Sequence, residues 1–266
     1  MKAVKEILID KDGFQTFHFD VQEEECFLFR IGKHRNASLA VTYSGMDAHV
    51  KTTYVCEEGS SLHVLIRNEV HHMVLRDHSE LFKDAHLTLG YLELQDGSVD
   101  AISEVYLKEC GADAHMMNVC IAQSKKHFQV LCVHEVPHTN GLIENYAVVK
   151  QHGDYRMEAC GKILKGAYDS ASHQASRVLT LSEEQSSEVI PLLLIDENEV
   201  KASHATTVGQ PDENQLYYLQ TRGLTRTQAL GLLTIGYMMP ITTVLDDEAQ
   251  RAELKNEIEM KVGLHA

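Results

Sequence analysis

The chain has 266 residues, with 24 Lys and Arg against 39 Asp and Glu, so its formal net charge is −15. This charge argues against binding to nucleic acid, where Lys and Arg must replace counterions along the phosphate backbone. It also argues against binding to an anionic membrane surface. The length is sufficient for a continuous apolar core, in one large domain or two small ones.

The first residues do not resemble a targeting signal, because acidic residues interrupt the short apolar run ILI. No apolar run in the sequence is long enough to cross a bilayer. None of the six cysteines forms a CxxC pair, and isolated cysteines of this kind are typical of small buried side chains in a reducing compartment. We therefore expect a cytoplasmic protein.

Short stretches in which apolar and polar residues alternate predict ten or more strands between about residues 15 and 205. Turn-forming pairs such as Glu58-Gly59, Asp96-Gly97 and Asn140-Gly141 separate them. Strands do not alternate with helices, which excludes a doubly wound sheet and leaves a sandwich, a barrel or a β-solenoid. The clearest stretches are SLAVTYS from Ser38, HLTLGYLEL from His86, HFQVLCV from His127 and VIPLLLI from Val189.

Two features favour the solenoid, although no strict repeat of 20 to 50 residues can be recognised and a sandwich stays equally open on pattern alone. Glycines at strand ends indicate corners after short rungs, and polar residues within strands indicate the solvated faces of a stacked coil. The glycines are Gly111, Gly141, Gly161 and Gly166, and the polar residues are Asn118, Gln129, Asn145, Gln174 and Ser176.

Beyond Pro211 the pattern predicts helices, which divides the chain into a β region (1–210) and a helical region (211–266). Asp212 is a suitable cap for a first helix ending at Gly223. Thr225 and Gln228 fit a capping box for a second helix, which should stop before Pro240. A third helix is expected from about Asp246, and its apolar face would contain Leu245, Ala249, Ala252, Ile258 and Val262.

Two groups of residues could support metal chemistry. His134, Glu135 and His138 satisfy the HExxH pattern of zinc hydrolases, but that pattern requires a helix, and the preceding strand and Pro137 argue against one. A metal-dependent hydrolase is therefore an unfavoured alternative. His71, His72 and His78 could bind a divalent metal, although a solvated strand edge and loop is the favoured interpretation. The phosphate-binding, dinucleotide-binding and nucleophile-elbow motifs are all missing from the sequence.

The segment from Val200 to Gln210, VKASHATTVGQ, closes the β region and leads into the helices. At the open end of a solenoid, unpaired backbone groups need a cap or a partner. His204 in this segment could be a ligand or a switch, or could serve only the structure.

Residues 191–237 closely resemble the C-terminal core of the SufB/SufD family of iron–sulfur cluster assembly scaffolds. The family pattern is an acidic strand, a Ser-His-Gly-Ala-Thr-type turn and then Asp-Glu-x-Gln-Leu-x-Tyr-Leu-x-x-Arg-Gly-Ile. This chain reads SHAT from Ser203 and DENQLYYLQTRGL from Asp212. With similar stretches upstream, the specific match covers roughly residues 130 to 240.

The resemblance implies a right-handed parallel β-helix followed by a small helical region. It also implies a non-catalytic scaffold that pairs with a second SufB/SufD-type subunit, identical or different, through the end of the β-helix. A separate SufC-type ABC ATPase would dock on the helical region, which fits the missing phosphate loop. The implied docking residues are Asp212, Gln215, Tyr218, Leu219, Arg222 and Gly223.

For the cluster itself, the resemblance implies that His204 lies near a transient iron–sulfur cluster at the subunit interface, with no tightly bound cofactor. SufD-type chains often have a Cys where this chain has Ala202. SufB-type chains have a Glu at Ala205, and their upstream Cys corresponds best to Ala175. The chain therefore looks SufD-like, and shorter than most relatives at its N-terminal side. A β-solenoid interaction module without metal chemistry is the main alternative.

Overall fold

A computed structural model describes residues 3–262 as a parallel β-solenoid of about seven turns with a small C-terminal helical region. Strands account for 58% of the chain, so the predicted solenoid is confirmed and the sandwich is wrong. The strands are β1 (Val4–Ile9), β2 (Gly13–Asp20), β3 (Glu24–Ile31), β4 (Asn36–Cys56), β5 (Ser61–Leu81), β6 (His86–Glu93), β7 (Ser98–Leu107), β8 (Asp113–Ala122), β9 (Lys125–His134), β10 (Asn140–Val149), β11 (Asp154–Ile163), β12 (Ala171–Thr180), β13 (Ser186–Ile195) and β14 (Lys201–Gly209). The helices are α1 (Glu213–Thr221), α2 (Arg226–Met238) and α3 (Glu248–Val262), with a 3₁₀ helix at Met239–Val244.

The solenoid has two walls, because each turn contributes one strand to each of them. We call sheet 1 the wall formed by β2, β6, β8, β10, β12 and β14, and sheet 2 the wall formed by β1, β3, β7, β9, β11 and β13. The long strands β4 and β5, of 21 residues each, bend at a corner and contribute to both walls. All the strand pairs are parallel.

A column of residues with left-handed backbone builds one corner of the solenoid. The amide of each donates to a carbonyl of the next turn, as Gly59 does to Lys83 at 2.8 Å. Gly, Asp and His all adopt this conformation, so no single residue type marks the corner. Successive members are 25 residues apart at the start of the column and 31 apart at its end, which explains why no strict repeat is visible. The column consists of His34, Gly59, Asp84, Gly111, His138 and Asp169.

The interior changes character along the solenoid. In the first turns it is aromatic, with Phe27, Phe29, Tyr43 and Tyr54 all fully buried. Alternate side chains of parallel strands face this interior, so each turn stacks its apolar residues on those of the next.

In the later turns a polar ladder runs through the interior of sheet 1. The Asn118 side-chain amide donates to Asn145 Oδ1 at 3.2 Å, and the Asn145 amide donates to Ser176 Oγ at 3.0 Å. Of the five polar residues predicted to lie on solvated faces, only Gln129 is exposed. The prediction is wrong for the other four, which are buried: Asn118, Asn145, Gln174 and Ser176. Buried polar groups are tolerated when they bond to each other.

Two of the predicted corner glycines also lie elsewhere. Gly111 and Gly166 occupy turns with positive φ, but Gly141 and Gly161 lie within β10 and β11. A Cβ at Gly141 would lie 2.7 Å from Cys132 Sγ, and a Cβ at Gly161 would lie 2.2 Å from Ser172 Oγ. These glycines permit close packing inside the solenoid, and Asn140-Gly141 begins a strand rather than forming a hairpin turn.

The helical region packs on the outer face of sheet 1, where Leu92, Val119 and Val148 meet apolar side chains of the helices. The predicted caps are confirmed: Asp212 accepts from the Asn214 amide, and Thr225 forms the capping box with its N3 residue.

The predicted face of the third helix is partly wrong. Ala249 and Ala252 are exposed. Leu254 and Ile258 are the buried residues of α3, since residues four apart share a helix face.

The boundary predicted near residue 210 lies between the last strand, which ends at Gly209, and α1, which starts at Glu213. Residues 1–2 and 263–266 of the two predicted regions lie outside the described residues. Within residues 3–262, none of the helices is both long and apolar enough to cross a bilayer.

Candidate functional site at the end of the solenoid

The last turn of the solenoid, formed by β13 and β14 and called here the terminal rung, leaves two strand edges open. Among the described residues, β13 pairs only with β11 and β14 pairs only with β12. An unpaired edge presents a row of backbone donors and acceptors to which another strand can bind. The terminal rung therefore presents one open edge on sheet 1 and one on sheet 2.

The two open edges differ in chemistry. β13 contains Pro191, which has no N–H and is tolerated at a sheet edge. Its last residues, Leu194 and Ile195, are 49% and 37% exposed. β14 contains no proline and is exposed along almost its whole length. The β14 edge is therefore suited to pairing with a strand, while β13 offers apolar side chains beside it.

His204 lies on β14 directly opposite Gln174 of β12. Opposite residues of neighbouring strands project to the same face, and the buried Gln174 shows that this is the interior face. Gln174 Nε2 donates to the Leu192 carbonyl at 2.7 Å, whereas its Oε1 has no hydrogen-bond partner. The exposed His204 and an unsatisfied amide oxygen thus stand side by side at the open end of the solenoid.

The two positions that the resemblance compares with thiols, Ala202 and Ala175, fall on opposite faces of sheet 1. Ala202 is opposite the buried Ser172, on the interior face with His204. Ala175 and Ala205 are opposite each other and project to the outer face. Of the six cysteines, four are buried, and burial raises the pKa of Cys132 to about 12, so its thiol keeps its proton at neutral pH.

The HExxH residues do not share a face. His134 ends β9 and is fully buried, its Nδ1 is 2.8 Å from Thr139 Oγ1, and burial lowers its pKa to about 4. Glu135 accepts from Lys108 Nζ at 2.9 Å, and His138 Nδ1 is 3.0 Å from Asp169 Oδ2. The segment contains a strand end and a left-handed residue instead of the helix that the motif requires.

The histidine cluster lies in β5, a strand that is paired on both sides rather than at an edge or in a loop as expected. His72 Nδ1 is 2.9 Å from Ser98 Oγ, and His78 Nε2 is 3.5 Å from Glu80 Oε1. Across residues 3–262, no three His, Cys, Asp or Glu side chains form a group that could hold a metal ion.

A second candidate surface, which we call the α1 surface, is formed by three of the predicted docking residues, Gln215, Tyr218 and Leu219. With Asn214 and Leu233 they line a groove of about 380 Å³. Tyr218 is 56% exposed, and the Arg222 guanidinium carbon lies 5.1 Å from the centroid of its ring.

The other predicted docking residues shape the ends of α1. The side chain of Asp212 caps its first turn, and Gly223 adopts a φ of 94° just beyond its last. Sequence reasoning missed the bidentate ion pair between Arg226 and Glu213, at 2.9 and 3.0 Å, which links α1 to α2. It also missed Tyr217 and Leu232, two large side chains whose exposure can be recognised only once the packing of the helices is known.

The family model described as "SUF system FeS cluster assembly, SufBD core domain" matches residues 21–237. The chain belongs to the SufBD family. The SufD iron–sulfur cluster assembly protein of Bacillus subtilis is 34% identical to this SufBD chain over 174 residues, covering 65% of this chain and 40% of the relative. The SufB protein of the same organism is 24% identical over 162 residues, covering 59% of this chain and 35% of the relative.

A SufBD-family protein of Mycobacterium tuberculosis is 29% identical over 153 residues, covering 57% of this chain and 18% of the relative. The chain thus spans between about a fifth and two fifths of these relatives. Its higher identity to SufD than to SufB agrees with the SufD-like assignment.

Proposed function

We propose that this SufBD-family chain is a non-catalytic scaffold subunit of a cytoplasmic SUF-type iron–sulfur cluster assembly complex. It pairs with a second SufB/SufD-type subunit through the terminal rung and docks a SufC-type ATPase on the α1 surface. The observation that carries the proposal is the open β14 edge with His204 on it, in a chain whose residues 21–237 match the SufBD core.

Pairing uses the two edges in different ways. The β14 edge forms backbone hydrogen bonds with a strand of the partner, and the apolar side chains of β13, Leu194 above all, pack beside it. Residues 181–212 contain one Lys and seven Asp or Glu, a net charge of −6. Because two copies would bring together like charges, a partner with a more basic terminal rung is favoured over a homodimer.

The iron–sulfur cluster is the cargo of this interface and not a resident cofactor. Imidazole is a good ligand for iron, and His204 lies at the point where the partner strand would add. Because this chain has Ala175 and Ala202 at the positions that the resemblance compares with cysteines, we assign the thiol ligands to the partner. In this arrangement His204 is the only group of the terminal rung of this chain that we assign to the cluster.

The ATPase contact is tested by calorimetry with a SufC-type ATPase. Tyr218→Ala and Arg222→Ala should weaken binding by about tenfold or more, because exposed aromatic and Arg side chains are common anchors of interfaces. Tyr168→Ala, which removes an exposed Tyr from a corner of the solenoid, is the matched control and should bind normally. Equal binding by all variants would refute the docking site.

The pairing is tested by native mass spectrometry of the chain co-expressed with a SufB-type subunit. Thr206→Pro on β14 and Leu194→Asp on β13 should both reduce the fraction of paired complex. Met46→Asp changes a residue that is also exposed, but far from the terminal rung in the strand order, and should have no effect. Because Leu194→Asp leaves the backbone unchanged, full pairing by this variant would contradict the proposed interface.

A further inference from the structure

The opposite end of the solenoid is also open. Among residues 3–262, β1 pairs only with β3 and β2 pairs only with β4, so the first turn leaves one free edge on each wall. The function proposed above uses the terminal rung and the α1 surface, and it leaves this end without a role.

The two edges of the first turn differ in how they are protected. On β1, Lys5 is opposite the buried Phe27 and forms an ion pair with Glu25, so a charged residue is directed inward at the edge. Inward charges and edge lysines are devices that hinder the addition of a strand. The β2 sequence, GFQTFHFD, contains neither Lys nor Pro. The edge of β2 is therefore the unprotected one.

The interior side of β2 exposes incompletely buried aromatic rings. Phe17 and Phe19 are opposite the buried Val41 and Tyr43, so both project inward, and both pack on the core while only partly buried. The Phe19 ring centroid is 4.3 Å from that of Phe27. A strand added to β2 would cover these rings with its own alternate side chains, which would bury further apolar area.

The surroundings of β2 are acidic. Residues 3–24 contain two Lys and six Asp or Glu, a net charge of −4. Asp12, Asp246 and Asp247 line a hollow of about 640 Å³ at the start of β2, and Asp20 is exposed at its end. Arg35 and Arg251 offset part of this charge, at 3.8 Å from Asp12 and 3.5 Å from Asp246.

We propose that the free edge of β2 is a strand-addition site for an extended basic segment of another protein. The segment would place apolar side chains at alternate positions over Phe17 and Phe19, with Lys or Arg between them and beside Asp12 and Asp20. A second copy of this chain is disfavoured as the occupant, because both ends of its solenoid are acidic. This proposal is independent of the pairing at the terminal rung.

The probe is a fluorescein-labelled peptide of alternating Lys and Val, eight residues long to match β2. Its control is the same peptide N-methylated at alternate residues, which keeps the charge and removes backbone donors. The unmodified peptide should bind at least about tenfold more tightly, because strand addition depends on the backbone bonds. Hydrogen exchange should slow at residues 13–20 and not at residues 201–209.

The charge contribution is tested with Asp20→Lys, which should weaken peptide binding about threefold or more. Glu183→Lys makes the same change in an exposed acidic residue of the turn before β13, and it should bind within about twofold of the unmodified chain. Equal binding of both peptides, protection at β14, or equal losses for the two variants would overturn the proposal. Self-association of the free chain that Asp20→Lys abolishes would also overturn it, since a second copy would then be the occupant.

Discussion

The two ends of the solenoid have the same strand topology, but the side chains in their interiors differ in polarity. In the first turns, the interior is filled by Phe27, Phe29 and Tyr43, whose rings all lie against the half-buried Phe19. In the last turns of sheet 1 it contains a column of hydrogen-bonded amides and hydroxyls, whose last member, Ser176, lies opposite Thr206 of β14. The same coil thus carries an aromatic core at one end and a polar column at the other.

The difference indicates a division of roles along the chain, with one end important for folding and the other for assembly. Buried aromatic side chains remove large apolar areas from water and contribute strongly to stability, whereas a polar ladder contributes little net stability but leaves groups able to bind a ligand. We therefore expect substitutions in the first turns to affect folding and substitutions in the terminal rung to affect assembly. The following predictions test that division in order of expected effect.

Phe27→Ala should reduce the free energy of unfolding by about 3–5 kcal/mol, because it removes a fully buried ring and leaves a cavity. Val189→Ala, at the partly buried interior of β13, is the comparison at the other end and should cost about 1 kcal/mol or less. Urea titration measures both. Similar losses for the two variants would contradict the proposed division.

Asp77 should make the first turns sensitive to pH. It is buried, Ser103 Oγ donates to its Oδ2 at 3.4 Å, its Oδ1 has no partner, and burial raises its pKa to about 7. Between about pH 4 and pH 7 the folded chain keeps a proton on Asp77 that the unfolded chain releases. The free energy of unfolding therefore falls as the pH rises through this range.

The Asp77→Asn variant isolates this effect, because its side chain does not titrate. The shift in pKa from 3.8 corresponds to about 4 kcal/mol over the whole window. The unfolding free energy of the unmodified chain, relative to the variant, should fall by up to that amount between about pH 4 and about pH 8. A constant difference across this range would show that Asp77 titrates normally in the folded chain.

Asn145→Ala should cost about 1–3 kcal/mol, because it leaves the amide of Asn118 and the hydroxyl of Ser176 without their partner inside the solenoid. Gln129→Ala, an exposed amide on the outer face of sheet 2, should change stability by less than about 0.5 kcal/mol. Thermal unfolding of the two variants makes the comparison. If Asn145→Ala were neutral, the ladder would not be a structural element.

The parts of the fold that depend on local chemistry could be predicted from the sequence. The caps of α1 and α2 were located correctly because Asp212, Thr225 and Gln228 bond to backbone groups within three residues of themselves. The strands were recognisable because alternation reports which side chains face inward. The solenoid was not decided by pattern, since its corner column uses His, Gly and Asp at spacings that change from turn to turn.

The parts that depend on register could not be predicted. An isolated Asn is usually a surface residue, and only the alignment of β8, β10 and β12 shows that Asn118, Asn145 and Ser176 satisfy one another. The same holds for the site: resemblance identified His204, but its position opposite Gln174 requires the pairing of β12 with β14. The six docking residues and His204 stay predictions.

The central proposal is tested most directly by the iron and sulfide content of the chain co-purified with a SufB-type subunit and a SufC-type ATPase, the partners proposed above. If His204 is a ligand of the interface cluster as proposed, His204→Ala should lower both by about tenfold while the complex stays assembled. His173→Ala changes the exposed neighbour on the outer face, which bonds to Ser203 at 2.7 Å, and should retain both. Full iron and sulfide in His204→Ala, or a change only in association, would contradict the assignment and favour an interaction module without metal chemistry.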